Sequence, residues 1–294
     1  MLNSLRVVGH RERVYFLDCG LTPHQRRLLE PHATLVPAPS EAPPWLLKTE
    51  APLRHPAEVM VLIDADIIVT RSLAGLVEQA SRGKVVAFGN SNDRFVPEWG
   101  ELLGLGRSRR RQYVSSSLLL LSGPLGSEVL NLMADMPDRV DFDRTFWRAD
   151  DPDYPFRYGD QDVVNAILAS RVDPGQVVEV EGQLEAVMPF NGLRVIEART
   201  LRCAYDDGTE PYVLHHYLPM KPWLEPTIPG VYTELLVRLL RGSDVAVRLP
   251  GRELPPHLRP GLVAAAKRWS REPWSASVRA VRDRMRSTGG AMGA

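Results

Sequence analysis

Two carboxylates spaced two residues apart, Asp64 and Asp66, close the apolar run Val59-Met-Val-Leu-Ile of this 294-residue chain. In an extended segment residues i and i+2 share a face, so both acids point the same way. Two like charges held together at a strand end are unfavourable unless a cation neutralises them. A hard divalent ion with oxygen ligands and a bound phosphate would do so. The plainer alternative is a strand that stops and turns on its Asp residues, and this window alone leaves both open.

Two further windows bear on that choice. Val213-Leu-His-His-Tyr-Leu-Pro-Met-Lys-Pro-Trp places His215, His216, Lys221 and Trp223 within nine residues. Imidazole is a frequent metal ligand, and a lysine ammonium is a compact charge suited to phosphate. Tyr158-Gly-Asp-Gln-Asp-Val-Val-Asn sets Asp160, Gln161 and Asp162 where a loop becomes a helix. An N-cap that complements the helix dipole accounts for one of these carboxylates. It does not account for the polar trio together with Asn165.

The elements that must position these groups follow from pattern. Residues 13–20 read as a short buried strand ending in a turn. Thr22, Pro23 and Gln25 form an N-terminal helix signal, so a helix is expected over 23–30. Residues 33–44, rich in proline, read as loop, and Trp45 to Leu53 as helical. A strand is expected at 59–63, a helix at about 72–82 ended by Gly83, and a strand from Lys84 to Phe88. Residues 104–111 read as a basic, mobile loop. Val114 to Leu121 is strand-like, 124–134 helical, 138–158 irregular, and 160–170 helical with Val163, Val164, Ile167 and Leu168 on one side. Strands alternating with helices indicate an α/β fold with a mostly parallel sheet. In such sheets ligands gather at the carboxyl ends of strands, where Asp64 and Asp66 fall.

After Gly230 the pattern changes. A helix is expected over 231–240, a proline-rich stretch over 250–260, and helix again over 261–286, which divides the chain into a domain of residues 1–229 and a helical extension with a tail, 230–294. Between Lys267 and Arg286 stand seven basic and two acidic residues, interleaved with Trp269, Trp274, Val278, Val281 and Met285. Such a helix can lie on an anionic membrane surface; the plainer reading is a helix packed on the domain with one solvated face.

Composition sets the outer limits. Apolar residues make up 44% of the chain and charged residues 24%, which suits a globular protein with a sizeable core. Formal net charge is zero, which argues against nucleic acid as the main partner. Cys19 and Cys203 give neither a disulfide framework nor a zinc pattern, and no apolar run approaches bilayer length. With no signal peptide in view, the expected location is cytoplasmic, with a peripheral contact at the inner face of the membrane through 261–286 as a variant.

The three windows, in this order and over roughly residues 1–225, resemble the retaining glycosyltransferases of the GT-A fold, nearest to family 8. Leu-Ile-Asp64-Ala-Asp66 resembles the family's Asp-x-Asp strand. His215 stands six residues before Lys221, as in the family's His-x-x-Gly-x-x-Lys-Pro-Trp. The resemblance implies a GT-A-type, Rossmann-like α/β domain that moves a sugar from a nucleotide-sugar donor, a UDP-sugar being expected, to a hydroxyl acceptor whose identity the chain does not reveal. It implies that Asp64, Asp66 and His215 hold a divalent ion, Mn2+ or Mg2+, and that Lys221 touches the donor diphosphate. It further implies that Asp160 binds sugar hydroxyls, that Gln161 lies below the anomeric carbon, and that Lys48, Asn90 and Ser115 contribute to the donor pocket. Retention by a front-face route is the mechanism that goes with the family.

The chain departs from the family in places. Ser115-Ser116-Ser117 replaces Asn-Ala/Ser-Gly, Leu218 replaces a glycine, and Asn90 stands where Asp is common. The family's first strand, which holds the nucleotide base, has no counterpart, since Met1 to Val8 reads as the helix that follows it. A start upstream of Met1 is the expectation; a different mode of donor binding is the alternative. Two other readings compete: a non-catalytic member of the same fold, and a haloacid-dehalogenase-type phosphatase. Phosphatases of that type continue Gly-Thr after the second Asp, where this chain has Ile67-Ile68.

Overall fold

The computed structural model describes residues 1–39, 44–136, 139–218, 220–224 and 230–259. The helix expected over 261–286, its membrane contact and the tail after it lie outside the described residues. In chain order the elements are α1 (Leu2–Val7), β1 (Tyr15–Asp18), α2 (Pro23–Leu29), β2 (Thr34–Pro37), α3 (Glu50–Arg54), β3 (Val59–Ile63), β4 (Ile67–Val69), α4 (Ala74–Ala80), β5 (Val85–Gly89), α5 (Trp99–Leu102), β6 (Val114–Ser122), α6 (Gly123–Asp135), α7 (Asp160–Arg171), β7 (Val177–Val180), β8 (Glu185–Val187), β9 (Arg194–Glu197), β10 (Arg202–Ala204), β11 (Val213–His215) and α8 (Val231–Arg241).

These elements form two compact units, each assembled from separated stretches of sequence. One comprises residues 11–65 and 72–185; the other comprises 1–10, 66–71 and 186 onward. The border between them falls inside Asp64-Ala65-Asp66.

In the larger unit a four-stranded sheet runs β3-β6-β5-β7. Strand β6 is buried along its whole length, as its unbroken apolar run Leu118 to Leu121 requires, since a strand covered on both faces has no polar alternation. It pairs with β3 through Met60↔Leu121 and Leu62↔Leu119, and with β5 through Val86↔Leu120. Helices α6 and α7 cover one face, where Leu119, Leu121, Leu130, Met133, Val163 and Ile167 share a core. Gly126 lets α6 approach β6, because a Cβ there would stand 2.8 Å from the Leu121 carbonyl carbon. A separate parallel pair, β1 with β2, is bridged by α2. The predicted capping box of α2 is present: Thr22 Oγ1 accepts from Gln25 N at 3.2 Å, and Gln25 Oε1 accepts from Thr22 N at 2.9 Å.

In the second unit β4 pairs antiparallel with β11, which neighbours β8, and β9 pairs antiparallel with β10. Helix α8 packs Tyr232, Leu235 and Leu239 with Ile68, Leu214 and Leu201. Helix α1 is fixed by two polar side chains. Ser4 Oγ, fully buried, accepts from Val69 N at 3.0 Å, and Asn3 bonds Leu239 O and Val247 O at 2.8 and 2.7 Å.

The α/β class is as expected, with sheets flanked by helices. Strand direction is not: the sheets are mixed, because β6 runs antiparallel to both β3 and β5 while β5 and β7 are parallel. The expected loop at 33–44 contains β2. There Thr34-Leu35-Val36 supplies branched strand formers, and Pro37 stands at the strand's end, where a missing N–H is tolerated. Strand β1 is half-buried rather than buried. Strand β4 was not foreseen; three residues are too few to show a period. The basic loop 104–111 is not free. Arg109 N bonds Ala169 O at 2.9 Å, and the Arg111 guanidinium bonds Leu168 O and Val172 O at 3.0 and 3.1 Å. These cationic side chains close the carbonyl end of α7.

Candidate functional site

Strand β3 ends at Ile63, and Asp64 follows with its N–H bonded to Ser117 O of β6 at 2.9 Å. In this unit Lys48 joins two carboxylates. Its Nζ lies 2.8 Å from Asp64 Oδ1 and 2.8 Å from Asp160 Oδ2, and 3.2 Å from Ser116 O. Burial opposes the charge on Lys48, but Asp160 and Asp64 outweigh it and hold the ammonium above its ordinary lysine range. Ser116 Oγ donates to Asp160 Oδ2 at 2.9 Å, and Ser116 N approaches Gln161 Oε1 at 3.5 Å.

Asp160 and Gln161 open α7. The N-cap is Gly159, with φ +59, a backbone state that glycine adopts without strain, so neither Asp is the cap. Asp160 at the first helical position complements the helix dipole. Asp162, two residues on, is fully buried. It accepts from Tyr113 Oη at 2.6 Å, Arg94 Nε at 2.9 Å and Tyr158 N at 2.8 Å. Burial pushes its carboxyl up, against the lowering effect of Arg94. Asn165 pairs both its amide atoms with the Val114 backbone, each at 2.8 Å. Asp162 and Asn165 therefore anchor α7, and Asp160 and Gln161 are the members of that window left facing Ser116 and Lys48.

In the other unit Asp66 precedes β4 and meets the end of β11. His215 Nε2 lies 3.6 Å from Asp66 Oδ1, and Lys221 Nζ lies 2.5 Å from Asp66 Oδ2. Tyr232 Oη donates to Asp66 O at 2.7 Å, and Lys221 also bonds His216 O. Burial acts to raise Asp66, yet His215 and Lys221 prevail and hold its carboxyl below the usual range. Ala65 alone separates Asp64 from Asp66, and one ligand atom from each of Asp64, Asp66 and His215 lies within 4.8 Å of the others. Ligands about 2.1 Å from a small divalent ion stand about 3 Å apart when adjacent and about 4.2 Å apart when opposite. Two carboxylates and an imidazole on that scale fit such an ion with small side-chain adjustment.

His216 is a different case from its neighbour. It is fully buried, neither ring nitrogen has a hydrogen-bond partner among the described residues, and the ring packs against Tyr232 at 5.1 Å. Burial, then Lys221, lowers its pKa to about 4, so the ring is neutral core.

Other expected residues fall elsewhere. Ser115 Oγ bonds Ser117 Oγ at 3.0 Å and Glu185 Oε1 at 3.2 Å, and Ser117 Oγ bonds the same Glu185 oxygen at 2.5 Å. It is Ser116, on the opposite side of β6, that meets Asp160; alternation along the strand decides which serine of the triplet faces which carboxylate. Asn90 Oδ1 accepts from Asn92 N at 2.9 Å and closes a turn after β5. Glu185, Arg94 and Tyr232 were not singled out from sequence. Each is an isolated residue whose partner is remote in the chain, and no local spacing marks such a residue.

No family model matches the chain, and no curated protein does. Among solved structures the chain is similar to the galactosyltransferase LgtC in complex with donor and acceptor sugar analogues, at 15% identity and a TM-score of 0.48, over 80% of this chain and 89% of that one. It is similar to an active-site mutant of LgtC at 14% identity and a TM-score of 0.47, over 80% and 90%. It is also similar to the bifunctional glycosyltransferase WbbM in its apo form, at 13% identity and a TM-score of 0.48, over 81% of this chain and 46% of that one.

Proposed function

We infer that this chain is a metal-dependent glycosyltransferase that uses a nucleotide-sugar donor, with Asp64, Asp66 and His215 holding Mn2+ or Mg2+. The observation that carries the reading is the gathering of those three ligand groups, from positions about 150 residues apart in sequence, with a lysine on each carboxylate. A structural turn does not need the imidazole.

When bound, the cation supplies neutralisation of the negative charge that develops on a leaving diphosphate. The chain's own groups do the rest in this reading. Lys221 places a second positive charge on the same diphosphate. Asp160, oriented by Ser116 and Lys48, accepts hydrogen bonds from sugar hydroxyls. Gln161 turns its amide oxygen toward the anomeric carbon, which gains positive character as the glycosidic bond to phosphate breaks. Donor choice of a UDP-sugar, and retention of anomeric configuration, extend the reading and rest on the sequence resemblance. The donor-pocket roles pass from Ser115 to Ser116, while Lys48 becomes a clamp between Asp64 and Asp160.

The test is direct. Purified protein is given Mn2+ and a panel of nucleotide sugars, and donor hydrolysis and thermal shift are followed. Metal-dependent stabilisation by UDP or a similar nucleotide is expected, with Asp66→Ala lowering donor turnover by about a hundredfold or more. Turnover of a generic phosphate monoester with no response to any nucleotide would instead favour phosphatase chemistry. An inverted product by NMR would remove the retaining mechanism.

A further inference from the structure

Lys221 does not wait in open solvent for a ligand. Its ammonium lies 2.5 Å from Asp66 Oδ2, with the Lys221 side chain 17% exposed and that of Asp66 20% exposed, and it takes the His216 carbonyl as a second acceptor. Asp66 offers its other oxygen, Oδ1, toward His215. The carboxylate that would ligate a cation is therefore already neutralised by a cation belonging to the chain. Lys48 repeats the arrangement on Asp64, at 2.8 Å.

We propose that Lys221 is a built-in stand-in for the divalent ion at Asp66, displaced when metal binds and captured by the diphosphate, so that metal and nucleotide bind cooperatively through one lysine. The inference rests on the metal-dependent reading above and deepens it. A divalent ion beside Asp66 repels the ammonium at close range in a poorly solvated setting. The lysine must then withdraw from Asp66, which leaves the ammonium without its carboxylate partner. A diphosphate restores a strong anionic partner. Metal alone thus binds against the cost of evicting Lys221, and the nucleotide removes that cost. By linkage the metal strengthens nucleotide binding by the same factor.

The experiment measures Mn2+ affinity by EPR or calorimetry, alone and with saturating UDP. In the wild type, UDP is expected to tighten Mn2+ by about tenfold or more. In Lys221→Met, Mn2+ alone is expected to bind about tenfold more tightly than in the wild type, while the effect of UDP is largely lost. Lys221→Arg retains the charge and is expected to keep the weak metal-only affinity. If Lys221→Met does not fold, Lys221→Gln carries the same expectation. Unchanged or weaker binding of Mn2+ alone once the charge is removed overturns the proposal, as does tightening in Lys221→Arg equal to that in Lys221→Met. A wild type that takes no Mn2+ with or without UDP is a distinct outcome; it removes the metal-dependent reading itself, and the proposal with it.

Discussion

Asp160 and Asp162 have the same chemistry, stand two residues apart, and have opposite consequences when lost. Asp162 is enclosed by Arg94, Tyr113 and the Tyr158 N–H. Asp162→Ala leaves Tyr113 Oη, the Tyr158 N–H and Arg94 Nε without their buried acceptor and is expected to cost about 3–5 kcal/mol in urea unfolding. Asp160→Asn keeps an acceptor for Ser116 and is expected to cost about 1 kcal/mol, while donor turnover falls by about two orders of magnitude. The two thiols separate in the same way. Burial raises both thiols, Cys203 to about 12 and Cys19 with a further push from Asp18, but Cys203 is enclosed whereas Cys19 is exposed. Iodoacetamide at neutral pH is expected to add one label to the native chain and two to the denatured chain, counted by intact mass.

At the scale of elements, α7 is the piece whose placement matters most. Its amino end presents Asp160 and Gln161, and its carboxyl end is closed by Arg109 and Arg111. Arg111→Leu removes the guanidinium that bonds the Leu168 and Val172 carbonyls and is expected to lower stability by about 1–3 kcal/mol, read from the urea midpoint. The elements most legible in sequence were those with a chemical signature of their own. Thr22-Pro23-x-Gln25 announces a helix start, the apolar runs of β3 and β6 announce strands, and the period of Val163 to Leu168 announces α7. Strands β2 and β4 were illegible because each has only three or four residues and gains its identity from a partner remote in sequence. The direction of β6 was illegible for a related reason, since a strand's residues do not record which way its neighbours run. The same limit applies to the site. Carboxylate spacing and the His-to-Lys interval could be read along the chain, but which of three consecutive serines faces Asp160 depends on the register of β6.

At the scale of the whole molecule, balanced charge and two interleaved units set the behaviour. Among the described residues no helix is long and apolar enough to cross a membrane. A metal that binds only the folded state adds about 2.7 kcal/mol of stability at a hundred times its Kd, so added Mn2+ is expected to raise the melting temperature and a chelator to reverse the gain. Chain paths cross between the units at 10/11, 65/66, 71/72 and 185/186. A chain ended at Glu185 keeps α1 and β4 but loses Leu214, Tyr232, Leu235 and Leu239, which bury Ile68. Such a chain is expected to bind ANS and to lose near-UV ellipticity from the packing around Ile68.

That interleaving also bears on how a protein of this kind can diversify. Homologous exchange of one contiguous gene segment cannot transplant one unit without part of the other, because each is interrupted by the other in the coding order. A library built by swapping halves at any single crossover is therefore expected to yield few folded members.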